Sequence, residues 1–181
     1  MTYPYCSQVY RVGDYGFEAT DDYTLMKELE EYYSSKGAKP EITPVADGVL
    51  LTIDGYLGDA FEAAHAKIRE LRECAKDDYS SRKAILKEAL EINPLEQVAY
   101  RFLALVYLGE GNSEEAFRNA TEALKLSPTN KWDLLVMGRL MFEIRKDREA
   151  AEKYFERALQ FHPGDKNVLK FIDRVFAGEM E

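Results

Sequence analysis

Ala89-Leu90-Glu91-Ile92-Asn93-Pro94 returns as Ala123-Leu124-Lys125-Leu126-Ser127-Pro128, and again as Ala158-Leu159-Gln160-Phe161-His162-Pro163. The first step is 34 residues and the second is 35. Self-similarity at a fixed period in this range marks stacked helical hairpins, each unable to bury its apolar face alone. The closing proline has a mechanical reason. It lacks an N–H and restricts the residue before it, so it stops a helix from running on.

The middle copy reads most regularly. Tyr100, Leu103, Ala104 and Tyr107 recur at helical spacing and line one face of a first helix. Gly109-Glu110-Gly111-Asn112 breaks it, and Asn112 or Ser113 is placed to cap the next helix. There Ala116, Ala120, Ala123 and Leu124 share a face, small enough for two helices to approach closely. The third copy offers Leu134, Met137-Gly138, Met141, Ala151 and Phe155, with one extra residue near Ile144–Asp147 that accounts for the longer step. The first copy is regular only from Asp78-Tyr79 to Pro94. Arg82 stands where a small residue belongs, which predicts a splayed helix pair. Its first helix, about 58–76, carries the stripe Phe61, Ala64, Ile68, Leu71 and Ala75.

This pattern resembles the tetratricopeptide repeat, matched here by Tyr100, Leu103-Ala104, Tyr107, Ala116, Ala120 and Pro128. The resemblance covers roughly residues 60–178 and implies a mainly α fold: an α-solenoid of three hairpins plus a capping helix. After Gly164-Asp165, the residues Val168, Leu169, Phe171, Ile172, Val175 and Phe176 form that cap or, alternatively, a partner-binding helix.

In such repeats the first helix of each pair lines a concave groove. Helical register then assigns Val98, Arg101, Phe102 and Leu105, with Leu108, from the middle unit. Trp132, Leu135, Val136, Arg139 and Phe142 come from the third unit, and Arg174, with Lys170, from the cap. An apolar groove with a few cations suits a partner's peptide or helix that carries apolar anchors and acidic groups. The same side chains serve equally as core, so both readings of Phe102, Leu105 and Leu135 stand. Some members of the family grip chaperone C-termini through a fixed Lys/Asn/Lys/Arg clamp. Lys67 matches its first member, but Phe102 replaces the Asn, so that ligand is not expected.

Composition divides the chain near residue 57 into a small element, 1–56, and the array, 57–181. Of the net charge of −9, residues 1–62 carry −8, and eight of the twelve tyrosines lie before residue 57. In the first part Gln8–Val12 and Gly16–Ala19 are candidate strands. Thr20 or Asp21 caps a helix at about 22–36 that presents Leu25, Met26, Leu29, Tyr32 and Tyr33 and ends at Gly37. Glu41–Ala46 and Val49–Ile53 flank the hairpin signal Asp47-Gly48. This predicts a small acidic α+β element.

The acidic balance argues against nucleic-acid binding. No apolar run is long enough to span a membrane, and Met1–Cys6 shows no secretory pattern, so a cytoplasmic protein is expected. Cys6 and Cys74 lack metal-type spacing; reduced thiols or a disulfide between them both remain open. His65 and His162 stand at no catalytic or metal-ligand spacing from a cysteine or carboxylate. No cofactor, metal or catalytic residue is therefore expected. The reading is a non-enzymatic interaction scaffold that binds another protein. Its rivals are a self-associating or autoinhibited homo-oligomer whose first segment fills the groove, and a ligand or enzymatic site in residues 1–56.

Overall fold

The computed structural model describes residues 6–14, 16–53 and 58–180. They fall into two compact units, Met1–Ala99 and Tyr100–Glu181. The compositional boundary at residues 56 and 57 lies outside the described residues.

In the first unit, β1 (Cys6–Tyr10), β2 (Pro40–Val45) and β3 (Gly48–Ile53) form an antiparallel sheet in the order β1-β3-β2. Helix α1 (Asp22–Ser35) packs on β2 and β3. Alternation puts Val49, Leu51 and Ile53 in the core, and the 3.6-residue period adds Leu25, Leu29 and Tyr33 from α1. Asp21 starts the helix, accepting from the Thr24 N–H at 2.8 Å, while the Thr24 hydroxyl returns to the Asp21 N–H. Three of the tyrosines gather here. Tyr10, Phe17, Tyr32 and Tyr33 meet edge to face at centroid distances of 5.2–6.4 Å, and the Tyr10 and Tyr33 hydroxyls share a 2.5 Å hydrogen bond.

Three boundaries differ from the sequence expectation. Strand β1 ends at Tyr10, because Arg11–Asp14 is a turn: the Asp14 N–H donates to the Arg11 carbonyl, and its carboxylate accepts from the Arg11 N–H. Gly16–Ala19 is not a strand; Phe17 is tied to the aromatic cluster instead. The hairpin turn is Ala46-Asp47, since Val45 pairs with Gly48. Gly48 is required for a different reason: a Cβ there would collide with the Tyr10 carbonyl of the neighbouring strand. This register also turns the backbone of Pro40, Ile42 and Pro44 outward on edge strand β2, and the two prolines have no N–H to offer an incoming strand.

The array begins in the same unit with α2 (Asp59–Arg69), a 3-10 turn (Glu70–Glu73) and α3 (Tyr79–Ile92). The stripe Ala64, Ile68 and Leu71 is buried, but Ala75 is exposed because α-helical geometry ends at Arg69. Helix α4 (Gln97–Glu110) spans the division between the units. The second unit continues with α5 (Ser113–Leu126), α6 (Lys131–Leu140), α7 (Arg148–Phe161) and α8 (Lys166–Ala177). Ala104, Ala116, Ala120, Ala123 and Leu124 are all buried, as the small-residue face requires. The extra residue of the third copy is absorbed by one wide π-type turn, Met141–Arg145, and a left-handed Lys146 at φ 56°.

The repeated phrase is a complete joint. Asn93, Ser127 and His162 donate their N–H to the carbonyls of Ala89, Ala123 and Ala158 at 2.9–3.0 Å. After each proline the turn closes: the N–H of Glu96, Asn130 and Asp165 returns to the carbonyl of Asn93, Ser127 and His162. Those same three residues then cap the next helix, accepting from the N–H of Val98, Trp132 and Asn167. A second conserved geometry opens each second helix, where Asp78, Asn112 and Asp147 accept from the N–H three residues on.

Candidate functional site

Capping at Asn130 fixes the rotation of α6 and so decides what its side chains face. Residues Asp133 to Gly138 and Leu140 are all buried, because α5, α7 and α8 each pack on this helix. Leu135 has no exposed surface and Val136 keeps 4%. These two expected groove residues therefore belong to the core; three packing neighbours enclose more of α6 than an open groove allows. Trp132 is different. It sits in the first turn, 38% exposed, with the Lys131 ammonium 5.3 Å from its ring centroid.

Trp132 also forms a wall of a cavity of about 480 Å³ lined by Ser127, Thr129, Asn130, Lys131, Phe161 and His162. His162 spans it, its Nε2 3.2 Å from the Thr129 carbonyl oxygen. This cavity lies where two joints meet.

On α4, Phe102 and Leu105 are half-buried, the state of a side chain that rests on the core and still meets solvent. Val98 is half-buried too, in the other compact unit. The three expected arginines are engaged within the chain, whereas Lys170 is exposed. Arg101 lies 3.3 Å from the fully buried Asp133 carboxylate and 3.4 Å from the Asn130 side-chain oxygen. Arg139 donates through Nε to Glu143 at 2.7 Å and through Nη2 to the Met180 carbonyl at 3.4 Å. Arg174 donates to the Glu179 carbonyl at 2.9 Å. The Phe142 ring meets Phe176 at 5.1 Å, and Phe176 also meets Phe155, so α8 closes the array by packing.

Sequence spacing alone missed a ladder of polar contacts from each first helix to the start of the next. Lys131 reaches Asp165 at 2.5 Å and Arg101 reaches Asp133. In the first repeat the member is His65, whose Nδ1 lies 3.0 Å from Oε2 of the buried Glu96. His65 thus meets a carboxylate about one repeat away. The signal was the repeat register: the partners are 31 to 34 residues apart, about one repeat. The other Glu96 oxygen caps α4, so this carboxylate holds a joint. Lys67 is likewise committed, to Glu70 at 2.9 Å and Glu88 at 2.7 Å, and these hydrogen bonds, Glu88 first, raise its pKa. Cys74 is a free thiol. Among the described residues no group of three or more His, Cys, Asp or Glu stands where it could hold a metal ion. No helix among them is long and apolar enough to cross a membrane.

No protein-family model matches the sequence. The first tetratricopeptide-repeat domain of Spaghetti (RPAP3), solved bound to the HSP90 peptide SRMEEVD, superposes with a TM-score of 0.53 at 16% identity. The match covers 66% of this chain and 94% of that one. The array is a tetratricopeptide-repeat fold. PilW, a type IV pilus biogenesis factor, shares this repeat fold with a TM-score of 0.52 at 15% identity, over 67% of this chain and 63% of its own. Two human proteins, RanBP2-like and GRIP domain-containing proteins 3 and 4, are 27% and 26% identical over 104 residues, 58% of this chain. The chain matches 6% of the length of these curated relatives.

Proposed function

We propose that this tetratricopeptide-repeat array is a non-enzymatic interaction scaffold, and that the second unit binds an extended peptide or a helix of a partner protein. The observation that carries the reading is the contrast between α6, closed on three sides, and the apolar side chains left open beside it. Phe102 and Leu105 on α4 are half-buried and Trp132 borders a cavity of about 480 Å³. Burial of an exposed aromatic contributes about 1.5–3 kcal/mol before association entropy is subtracted, so two such anchors suit affinity near micromolar. Chaperone tails are left outside the proposal: Phe102 replaces the clamp Asn, and Lys67 is occupied by two glutamates. Cross-linking and capture with wild type, Trp132→Ala and Phe102→Glu test the site. Equal capture of the same partner by all three forms refutes it.

The charge split, −8 in residues 1–62 against −1 in the rest, favours a second reading in which the acidic element mediates self-association. Light scattering at several concentrations and at low and high salt decides it; a salt-independent monomer excludes it.

A further inference from the structure

The two edges of the three-stranded sheet are built differently. Hydrogen bonding between antiparallel strands alternates, so each residue of an edge strand turns its N–H and C=O either to its neighbour or outward. The tight turn makes Val45 and Gly48 a hydrogen-bonded pair. Gly48, Leu50 and Thr52 therefore point their backbone groups to β2, and Val49, Leu51 and Ile53 point theirs to β1. On β2 the outward positions are Pro40, Ile42 and Pro44, and the prolines close that edge. On β1 the groups of Cys6, Gln8 and Tyr10 are taken by β3, while those of Ser7 and Val9 face outward. Among the described residues none pairs with these outward groups. The strand, Cys-Ser-Gln-Val-Tyr, holds neither a charge nor a proline, the devices that protect an edge. At its centre Gln8 is half-buried, and its Nε2 is enclosed without a hydrogen-bond partner among the described residues.

We propose that β1 is a self-pairing edge, on which β1 of a second copy of this chain adds antiparallel about a two-fold axis through Gln8. The proposal rests on the self-association reading above and names its surface. The strand itself sets the register. Placing Gln8 against Gln8 of the second copy sets Ser7 opposite Val9 in both directions, so the outward backbone groups of the two copies meet. The central pair is then of the non-hydrogen-bonded kind, with Cα atoms about 4.5 Å apart. At that separation the two side-chain amides donate to each other's oxygen, and a half turn of the Gln8 amide gives its enclosed nitrogen a partner. Because prolines close β2, each copy has one open edge, and assembly stops at a pair instead of growing into a fibre. The charge of −8 on residues 1–62 opposes the pairing, so salt strengthens it.

The test uses the full chain. Val9→Pro is selective, because the Val9 N–H takes no part in the β1–β3 ladder and its loss leaves the monomer's own sheet intact. Sedimentation velocity is run from about 10 µM to 1 mM, at low and high salt. An edge of 5 residues supports weak pairing, so wild type is expected to pass from monomer to dimer with a Kd of about 100 µM, lower at high salt. Val9→Pro is expected to stay monomeric throughout, with the circular dichroism of wild type. A wild type that is monomeric at every concentration overturns both this proposal and the self-association reading. A dimer that Val9→Pro leaves unchanged overturns the edge alone and spares that reading. Gln8→Glu and Gln8→Lys test the axis. Each alone sets like charges against each other and is expected to lose the dimer, and an equimolar mixture is expected to regain it as a heterodimer. No recovery on mixing overturns the two-fold register, and Val9→Pro carries the test of the edge where a Gln8 variant fails to fold.

Discussion

Gly138→Ala separates packing from helix propensity, because the two predict opposite signs. Gly138 lies inside α6, where Ala is favoured by about 1 kcal/mol. Yet a Cβ at Gly138 would run into the ring of Phe155 on α7, which is 3% exposed. Forcing a methyl into such a site costs about 1–3 kcal/mol. The net expectation is a loss of about 1 kcal/mol, or roughly 2–4 °C in Tm for a chain of this size. The middle repeat supplies the control, since its equivalent pair is Ala104 and Ala120, both buried. Phe155→Ala alone should cost about 3–5 kcal/mol, part of it through the contact with Phe176. In that background the space is open, so Gly138→Ala should now stabilise by about 1 kcal/mol. A double-mutant cycle by urea unfolding with circular dichroism should give a coupling of about 2 kcal/mol. Stabilisation of the wild type by Gly138→Ala, or the same effect in both backgrounds, refutes the packing argument.

Asp133→Ala leaves the Arg101 guanidinium, 14% exposed, without its carboxylate; a loss of about 3 kcal/mol in urea unfolding is expected, the low end for a broken buried pair because Asn130 remains in reach. Lys146→Gly relieves a left-handed residue and should raise Tm by about 2 °C, the strain released exceeding the added chain entropy by about 0.5–1 kcal/mol. Acid should unfold the protein from below about pH 4. The Thr24 N–H holds the Asp21 pKa below its ordinary value, the Ser81 N–H does the same for Asp78, and Lys131 does so for Asp165. A carboxylate with a depressed folded pKa contributes stability above its unfolded value and loses it as pH falls through the folded one. Asp165→Asn should therefore flatten the Tm profile between about pH 2 and 4, and an unchanged slope there counts against the pairing with Lys131.

The array was legible because each joint is local. Ala-Leu-x-x-x-Pro encodes a helix end, a turn and the next cap within about eight residues, and the hydrogen bonds that close it span four residues or fewer. The same locality gave α1 its start at Asp21 and placed the extra residue of the third repeat. Legibility failed where a neighbour distant in sequence decides. Gly48 reads as a turn residue but is a strand residue kept small by Tyr10. Register put Leu135 and Val136 on an open face, and only the packing of α5, α7 and α8 around α6 closes it.

The candidate site shows the same division. The repeat period and helical spacing, by themselves, determined an α-solenoid and which residues of each first helix share a face. They did not determine which of these remain accessible or charged toward a ligand. That depends on partners about one repeat away or further: Asp133 for Arg101, Glu96 for His65, and the carbonyls of residues 179 and 180 for Arg174 and Arg139. Backbone hydrogen bonding is written in adjacent residues, whereas burial and ion pairing are set by whatever the fold brings alongside. Sequence therefore sufficed for the repeat fold, and which side chains stay exposed was decided only by tertiary packing.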